Sequence, residues 1–373
     1  MERQRLNIVF AGGGTGGHLF PALAMADEVR KKVPDADITF IGTRNRIEAR
    51  VVPQHGYRFE AIWISGFRRK WNLDNVLFPL KIATSVIQSF VLMWKLKPRV
   101  VVGTGGYVCG PPLFAASFLG IPTLIQEQNS YPGVTTRLLA ARVKEVHLSF
   151  ESSRRYVTRR DNVYVSGNPT RENMGKVPRA EGAAWFGMNP ERKTLLVFGG
   201  SLGASSINSA VANILPSLIA SQIQIVWQIG EGDFDRMKAL VPRGAGEQVK
   251  VYRFIDQMEY AYAACDLAVC RAGATTVAEL ARAGVVSVLV PYPFAAADHQ
   301  TENARAMVDA GAAVMIKDTE IGGKLLETVE ALFADRGRLQ GMRSKASQVG
   351  NPDATAILAR AVINLAGAAY GRA

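Results

Sequence analysis

Cysteine is scarce in this sequence. Only three cysteines, Cys109, Cys265 and Cys270, occur among 373 residues, and no two of them have C-x-x-C spacing. Because each lies in an apolar strand or turn context, we expect a reducing compartment and no disulfide framework. We also expect no signal peptide, since the opening residues MERQRLNIVFAGGG lead straight into a predicted strand and a glycine loop. We therefore expect the protein to stay in the cytoplasm.

Uninterrupted apolar runs are short as well. A transmembrane helix needs about 20 nearly continuous apolar residues. The best candidate, residues 76–97 (VLFPLKIATSVIQSFVLMWKLK), is broken by Pro79 and Lys81 and closed by Lys95. Upstream, residues 67–71 (FRRKW) combine aromatic and basic side chains, which is typical of contact with lipid headgroups. We interpret residues 67–94 as an interfacial membrane patch beside a helix that otherwise belongs to a domain core.

Acidic residues are under-represented in the first half of the chain. Residues 1–168 carry 23 Lys and Arg against 12 Asp and Glu, a net +11, whereas residues 169–373 carry 21 against 20, a net +1. Such a basic half can face nucleic acid, an anionic membrane or an anionic substrate. Since no motif has the spacing of a groove reader, we expect a membrane or an anionic substrate and no nucleic acid.

The length of the chain favours two domains, and the first opens with a glycine loop. Residues 6–10 are predicted as a strand that runs into GGGTGGH at residues 12–18, followed by a helix. The loop fits G-x-G-x-x-G, which indicates a dinucleotide or phosphate site. The next strand, residues 37–42, is followed by Thr43 and Arg44 rather than by the acid of an NAD site. An NAD-dependent oxidoreductase is therefore disfavoured, while a phosphate-binding turn stays open.

Two further features of the first half stand at predicted strand ends. A second glycine turn, GTGGY at residues 103–107, follows a short valine-rich strand. The run QEQN at residues 126–129 follows the strand at residues 122–125, and it suits either sugar hydroxyls or an ordinary polar loop. The Gly- and Pro-containing segment SGNPTR at residues 166–171 indicates a domain boundary.

The second half repeats the pattern of strand, glycine turn and helix at residues 194–204, and later strands are predicted at 223–229, 249–252, 267–270 and 285–290. Residues 269–303 contain a turn of small residues and a second turn that ends in DHQ, so two loops meet at neighbouring strand ends. The spacing Thr276-x-x-Glu279 fits a helix capping box, or else Glu279 contacts a ligand. An Ala-rich final helix is expected to pack on the first domain. We predict an α/β protein with two Rossmann-like domains facing across a cleft, 1–168 with 351–373, and 169–350.

Eight segments in fixed order carry a family resemblance. GGGTGGH, GTGGYVCGP, EQN, GNPTRE, FGGSLGA, FIDQM, AGATTVAE and DHQ together resemble the bacterial MurG glycosyltransferases, from residue 7 to about residue 311. The resemblance implies the GT-B fold and transfer of N-acetylglucosamine from UDP-N-acetylglucosamine to the 4-hydroxyl of the muramoyl sugar of undecaprenyl-diphosphate-linked lipid I. It implies lipid II as the product, an acceptor-binding, membrane-facing first domain, and a peripheral position on the cytoplasmic face of the membrane. An anionic membrane surface is then a further partner.

The resemblance also assigns site residues. It places Thr15, Gly16 and Gly17 at the donor–acceptor cleft, Asn129 at the transferred sugar, Arg171 and Ser201 at the diphosphate, and Ile255 at the uracil through its backbone. It places Ala274, Thr275, Thr276, Val277, Ala278 and Glu279 beside the sugar and ribose, and Gln300 at the sugar hydroxyls. Because Arg171, the glycine turn at residues 199–203 and the dipole of the helix that follows it can offset diphosphate charge, we expect no metal and no cofactor.

His18 is the candidate catalytic base for the acceptor hydroxyl. Of the other histidines, His55 lies in a polar loop, His147 inside a strand, and His299 in the donor-side turn. Only His18 follows a glycine loop of the first domain, although it could instead merely support that loop. Two other classes of protein remain open from the residues alone: an NAD-type oxidoreductase and a non-catalytic sensor of nucleotide sugars.

Overall fold

The computed structural model describes residues 6–66, 77–158, 161–200, 203–295, 298–349 and 351–367. The chain divides into two compact units, Met1–Thr170 with Pro352–Ala373, and Arg171–Asn351. The division predicted at residues 168/169 lies two residues before this one. The roles of acceptor and donor domain stay predictions.

The first unit is built on seven parallel strands. They are β1 (Asn7–Ala11), β2 (Asp37–Gly42), β3 (Arg58–Ala61), β4 (Val100–Gly103), β5 (Thr123–Glu127), β6 (Glu145–Leu148) and β7 (Val163–Val165). The helices before residue 170 are α1 (Gly16–Lys32), α2 (Ile47–Gln54), α3 (Phe78–Leu96), α4 (Gly110–Phe118) and α5 (Val134–Leu139). The spatial order of the strands is β3-β2-β1-β4-β5-β6-β7, so the order reverses between β1 and β4.

Aliphatic side chains on both faces of these strands explain why the sheet lies inside the unit. Ile8 and Phe10 of β1 belong to one buried apolar cluster, while Val9 belongs to the cluster on the opposite face. Phe10 pairs in register with Val102 of β4. Such continuous apolar runs are typical of parallel strands covered by helices on both sides. The carboxyl ends of β1 and β4 therefore lie side by side where the strand order reverses, which is where open α/β sheets bind ligands.

Helix α3 has its polar side inward and its apolar side outward. The buried positions recur every four residues and are Lys81, Ser85, Ser89 and Met93. On the opposite face, the side chains of Leu80, Ile87, Val91 and Trp94 are 55%, 64%, 57% and 77% exposed. The predicted helix is confirmed, and its core part is confirmed for Met93, which enters a buried apolar cluster against which Phe90 and Leu92 also pack, while the membrane patch stays a prediction. Periodicity locates an apolar stripe without showing which way it faces.

Residues 67–76, the basic and aromatic part of the predicted membrane patch, lie outside the described residues. Within the described part of the chain, no helix is both long enough and apolar enough to cross a bilayer.

The second unit is a six-stranded parallel sheet. Its strands are β8 (Thr194–Phe198), β9 (Gln224–Gln228), β10 (Val249–Tyr252), β11 (Leu267–Cys270), β12 (Val286–Leu289) and β13 (Ala313–Met315). Its helices are α6 (Arg179–Trp185), α7 (Ser205–Ala220), α8 (Phe234–Lys238), α9 (Met258–Ala264), α10 (Ala274–Ala283), α11 (His299–Asp309), α12 (Ile321–Ala334) and α13 (Arg336–Val349). The spatial order is β10-β9-β8-β11-β12-β13, which reverses between β8 and β11. Trp227 of β9 is fully buried in the apolar core beside the helices.

The final helix, α14 (Ala354–Leu365), returns to the first unit. Its side chains Leu358, Val362 and Ile363 enter the same apolar cluster as Leu19 and Val29 of α1. Residues at the end of the chain thus complete the core of the unit that the beginning of the chain builds.

Candidate functional site

The glycine loop after β1 is held in place by hydrogen bonds to one carboxylate. Glu48, which is 1% exposed, accepts hydrogen bonds from the N–H of Gly14 at 3.0 Å and from the N–H and hydroxyl of Thr43 at 3.0 and 2.6 Å. A Cβ on Gly13 would lie 2.5 Å from the carboxyl carbon of Glu48, so only glycine permits this approach. Glu48 therefore fixes the loop against the end of β2.

The same contact explains why the end of β2 does not form an NAD ribose site. Thr43, the first residue after that strand, is buried, and both its N–H and its hydroxyl donate to Glu48. The carboxylate that follows β2 in sequence, that of Glu48, therefore already accepts hydrogen bonds from a backbone N–H and a hydroxyl. This arrangement agrees with the sequence-based argument against a dinucleotide site at the glycine loop.

His18 lies in the first turn of α1, and its Nδ1 is 3.0 Å from Oε1 of Gln128. In the run QEQN, the side chains of Gln126, Glu127 and Gln128 are buried, and only Asn129 is partly exposed. Glu127 accepts hydrogen bonds from the backbone N–H and the Nδ2 group of Asn129. Asn129 is therefore the side-chain amide of this run that is partly exposed, while the amides of Gln126 and Gln128 are buried.

The remaining histidines occupy unrelated environments. His147 is 3% exposed and lies within hydrogen-bond distance of Ser166 and Glu145, at 2.6 and 2.9 Å. His55 is exposed after α2, and His299 begins α11 in the second unit.

In the second unit, the side chain of Gln228 at the end of β9 forms hydrogen bonds to two segments that were predicted to contact the sugar donor. Its Nε2 donates to the carbonyl of Gly200 at 2.9 Å, and its Oε1 accepts from the N–H of Ile255 at 2.9 Å. The glycine turn after β8 and the segment after β10 are thereby held together. Ser201, the predicted diphosphate ligand in that turn, lies outside the described residues.

Arg171 and Glu279 bring opposite charges to the same part of the second unit. The Nη1 group of Arg171 donates to the carbonyl of Asp256 at 2.9 Å and lies 3.5 Å from a carboxylate oxygen of Glu259. Glu279 is 8% exposed and accepts a hydrogen bond from the phenol of Tyr262 at 3.1 Å. Burial raises the pKa of the Glu279 carboxyl to about 6, although the positive charge of Arg171 and the hydrogen bond from Tyr262 act in the opposite direction.

The capping-box interpretation of Thr276 and Glu279 is wrong. Helix α10 begins at Ala274 with Gly273 as its N-cap, so Thr276 is already inside the helix and Glu279 lies in the second turn. A capping box needs its threonine at the N-cap. Glu279 instead faces inward to Tyr262, and it stays a candidate ligand contact.

Arg271 connects three loops at the carboxyl edge of the second sheet. Its guanidinium donates to the carbonyls of Val290 and Pro291, each at 3.2 Å, and to the hydroxyl of Ser206 at 2.9 Å. It also pairs with Asp318. The turn after β11, the loop after β12 and the start of α7 are therefore braced by a single side chain. Gln300 holds the same loop, since its Oε1 accepts from the N–H of Tyr292 at 2.9 Å.

The predicted site residues thus fall into two groups. Thr15, Gly16, Gly17, His18 and Asn129 lie in loops or helix starts at the carboxyl edge of the first sheet; Arg171, Ile255, Ala274, Thr275, Thr276, Val277, Ala278, Glu279 and Gln300 belong to the second unit. Sequence reasoning missed the side chains that hold these loops, namely Glu48, Gln128, Gln228, Tyr262 and Arg271. Gln128, Gln228 and Arg271 are polar residues at or just after strand ends, whereas Glu48 and Tyr262 lie inside α2 and α9 and had no such signal.

Carboxylates after β9 are spaced as D-x-D, a pattern that can bind a divalent cation. In the structure, however, Asp233 accepts from Asn208 and Arg236, and Asp235 accepts from Arg253. Across the described ranges, no three His, Cys, Asp or Glu side chains are grouped so that they could hold a metal ion.

Sequence profiles of known families match both units. The profile "Glycosyltransferase family 28 N-terminal domain" matches residues 8–148, and the profile "Glycosyltransferase family 28 C-terminal domain" matches residues 194–357. The chain belongs to glycosyltransferase family 28. The glycine turns, His18 and Glu279 all lie within the matched ranges of this family.

Individual family 28 relatives are similar over nearly their whole length. A protein of Chlorobaculum tepidum is 46% identical over 96% of this chain and 99% of its own, and one of Prosthecochloris aestuarii is 45% identical over 97% and 99%. Both are named UDP-N-acetylglucosamine--N-acetylmuramyl-(pentapeptide) pyrophosphoryl-undecaprenol N-acetylglucosamine transferase. The crystal structure of Acinetobacter baumannii MurG matches with a TM-score of 0.75 at 30% identity, covering 96% of this chain and 99% of that one. The resemblance to MurG and the two-domain α/β class predicted from the sequence are confirmed.

The raised pKa of Glu279 predicts a pH-dependent stability. The unfolded chain, whose glutamate has the ordinary value of 4.5, releases this proton at a lower pH than the folded chain, where the value is about 6. The free energy of unfolding should therefore fall by about 2 kcal/mol as pH rises through this window, and stay lower above it. In Glu279→Gln, this component should disappear.

Urea denaturation across the window measures the effect, with Glu327→Gln as the control because Glu327 is exposed on α12. Parallel pH profiles for the wild type and Glu279→Gln would contradict the assignment.

Proposed function

We propose that this chain transfers N-acetylglucosamine from UDP-N-acetylglucosamine to the 4-hydroxyl of the muramoyl sugar of undecaprenyl-diphosphate-linked lipid I, giving lipid II for peptidoglycan. The observation that carries the proposal is the 46% identity, over 96% of the chain, to a relative named for this transfer. In this proposal the second unit binds the donor and the first unit binds the lipid-linked acceptor.

The donor contacts follow from the charges and turns of the second unit. Arg171 and the glycine turn around Ser201 would receive the diphosphate, Ile255 the uracil, and Gln300 the sugar. The start of α7 supports this assignment, because the helix begins at Ser205 directly behind the turn and directs its free N–H groups and positive dipole end toward it. As UDP departs, its growing negative charge would be stabilised by these groups. The Glu279 carboxylate would accept hydrogen bonds from the ribose hydroxyls.

The chemistry at the acceptor needs a base. His18 would take the proton of the 4-hydroxyl while the hydroxyl oxygen bonds to the anomeric carbon and the bond from that carbon to UDP breaks, with inversion. Asn129, the partly exposed amide of the run QEQN, would contact the transferred sugar. Thr15, Gly16 and Gly17 would leave the backbone of the first helix turn open to the substrates.

Titration calorimetry with UDP, UDP-N-acetylglucosamine and NAD tests the donor assignment. We expect binding of the two uridine compounds and none of NAD. Glu279→Gln should weaken UDP-N-acetylglucosamine binding, because a hydrogen bond to a charged group contributes about 1.5–3 kcal/mol. Wild-type binding should also tighten as pH rises through about 6, since the ionised carboxylate is the better acceptor.

The matched control is again Glu327→Gln, which should bind as the wild type does. Equal donor affinity in Glu279→Gln would remove Glu279 from the ribose site. Binding of NAD in preference to UDP would favour an oxidoreductase, and donor binding without transfer to lipid I would favour a sensor.

His18→Ala tests the base. We expect turnover to fall by roughly 10²–10⁴-fold while donor affinity is kept, because a positioned general base contributes about that factor. The control is His55→Ala, in which an exposed histidine of the same unit is removed. Transfer rates measured with UDP-N-acetylglucosamine and lipid I decide the matter. Turnover of His18→Ala within a few-fold of the wild type would exclude the role.

We further propose that the first unit docks reversibly on the anionic cytoplasmic face of the membrane, where the lipid-linked acceptor resides. The support is the outward apolar face of α3 together with the net +11 of residues 1–168. Phe118 and Leu119, at the end of the neighbouring α4, add exposed apolar surface, and Phe118 packs edge-on against Phe90 of α3. Lys95 and Lys97 are exposed at the end of the helix beside Trp94. Apolar side chains flanked by cations are typical of interfacial helices.

Flotation with liposomes tests this docking. Binding should increase with the fraction of anionic lipid and decrease with salt, because each basic residue near the surface contributes about 1 kcal/mol that salt screens. Ile87→Ser should weaken binding by roughly tenfold, since burying such a side chain contributes about 1.5–3 kcal/mol. Leu240→Ser is the control, because Leu240 is 53% exposed in the second unit. Equal effects of the two substitutions would argue against α3 as the docking face.

A further inference from the structure

A chain of hydrogen-bonded amides runs through the interior of the first unit to His18. Gln128 Nε2 lies 2.8 Å from the carbonyl oxygen of Thr104 and 2.5 Å from Oε1 of Gln126. Gln126 Nε2 in turn lies 3.2 Å from the hydroxyl of Ser149, and that hydroxyl lies 2.8 Å from the carbonyl oxygen of Glu127. Both glutamine side chains are 1% exposed or less.

Two backbone carbonyls give this chain a single direction. The carbonyl of Glu127 can only accept, so Ser149 must donate to it and is then an acceptor for Gln126. The Oε1 atom of Gln126 consequently faces Gln128. The carbonyl of Thr104 also only accepts, so the NH₂ group of Gln128 must point toward Thr104 and Gln126. A flipped amide at Gln128 would set its oxygen against two acceptors.

The direction of the chain decides which nitrogen of His18 carries the proton. With the NH₂ group of Gln128 committed, its Oε1 faces Nδ1 of His18 at 3.0 Å. An amide oxygen accepts, so Nδ1 is the donor and keeps its hydrogen. In the neutral ring Nε2 then holds the lone pair. Within the described part of the chain, no hydrogen bond occupies Nε2.

The glycine turn after β4 keeps the ring in this orientation. Gly105 and Gly106 have φ angles of 88° and 74°, and a Cβ on Gly105 would lie 2.9 Å from Nδ1 of His18. A side chain at Gly105 would therefore push the ring away from Gln128. The imidazole is placed by close contact with backbone on one side and by a single directed hydrogen bond on the other.

We propose that Gln128 is a positioning residue that fixes the Nδ1–H tautomer of His18, so that Nε2 is the atom that accepts the proton of the acceptor hydroxyl. The inference rests on the proposed function for the identity of the substrate, but the tautomer itself follows from the hydrogen-bond chain. In the step, the proton of the hydroxyl passes to Nε2 and the oxygen bonds to the anomeric carbon as UDP departs. The ring becomes an imidazolium whose Nδ1–H remains on Gln128.

Long-range ¹H–¹⁵N correlation spectra of the protein labelled on histidine report the tautomer directly. The chain has four histidines, and the signals of His18 are those lost in His18→Ala. Above neutral pH, we expect His18 to carry its hydrogen on Nδ1 in the wild type. Gln128→Leu should return the ring toward the Nε2–H form that free imidazole favours, whereas His18 should keep Nδ1–H in Gln340→Leu, in which an exposed glutamine is removed.

Kinetics supply the second readout. Gln128→Leu should lower kcat by roughly tenfold or more, within the ~10⁴-fold loss known when a catalytic histidine is held in the wrong tautomer. The KM for UDP-N-acetylglucosamine should not change, because Gln128 lies in the first unit. Gln340→Leu, an exposed glutamine of α13, is the matched control.

Two results would overturn the tautomer assignment: a wild-type His18 protonated on Nε2, or an unchanged Nδ1–H form in Gln128→Leu. A shifted tautomer with unchanged kcat would overturn the proposed effect of Gln128 on catalysis. Failure of the proposed function is distinct, because the wild type itself would then show no transfer to lipid I while the spectra stayed as expected.

Discussion

The glycine turns after β1 and β8 are each held by a buried polar side chain that lies outside the turn. In the first unit the carboxylate of Glu48 accepts the N–H of Gly14 from 34 residues away. In the second, the amide of Gln228 donates to Gly200 and accepts from Ile255. Glycine-rich backbone loses more conformational freedom on folding than other backbone, so such turns need an external partner to stay in one shape. Removing that partner would leave buried groups unsatisfied, at a cost of about 1–3 kcal/mol each.

The two units apply the same geometry to different chemistry. In each sheet the strand order reverses beside the first strand of the unit, and the glycine turn follows that strand. The first unit brings amides, one histidine and the carboxylate of Glu48 to its glycine turns, and these polar groups suit a hydroxyl-bearing acceptor. The second surrounds its turn with Arg171, Arg271 and Glu279, which suits an anionic donor with ribose hydroxyls. The proposed division of substrates between the units agrees with the two arginines of the second unit and with the family resemblance.

Much of the fold could be predicted from the sequence because its strands are buried on both faces. The strands β2, β10 and β11 coincide with the predicted ranges, and the other apolar runs agree within a few residues. The strands β3 and β13 were not predicted: β3 has the polar sequence RFEA, and β13 has three residues. Local pattern also could not show that α3 faces outward, because an amphipathic period has no inside or outside of its own.

The candidate site was predictable only as far as its turns. Sequence spacing located the glycine loops and His18, but the roles of Glu48 and Gln128 depend on contacts between residues 34 and 110 positions apart. The spacing Thr276-x-x-Glu279 misled because the helix begins three residues earlier than a capping box requires. Local spacing therefore finds where a loop will be, and long-range hydrogen bonds determine what holds it.

The neutral partner of His18 is consistent with the charge of the proposed substrates. A carboxylate next to Nδ1 would fix the same tautomer and would stabilise the imidazolium more strongly, as in serine protease triads. It would also add a further buried carboxylate to a unit that already buries those of Glu48 and Glu127, and like charges in a low-dielectric interior repel strongly. Gln128 orients the ring through an amide dipole and leaves the net charge of the unit unchanged. The first unit can therefore keep the positive potential that an anionic lipid and an anionic acceptor both require, while its histidine keeps a defined proton acceptor.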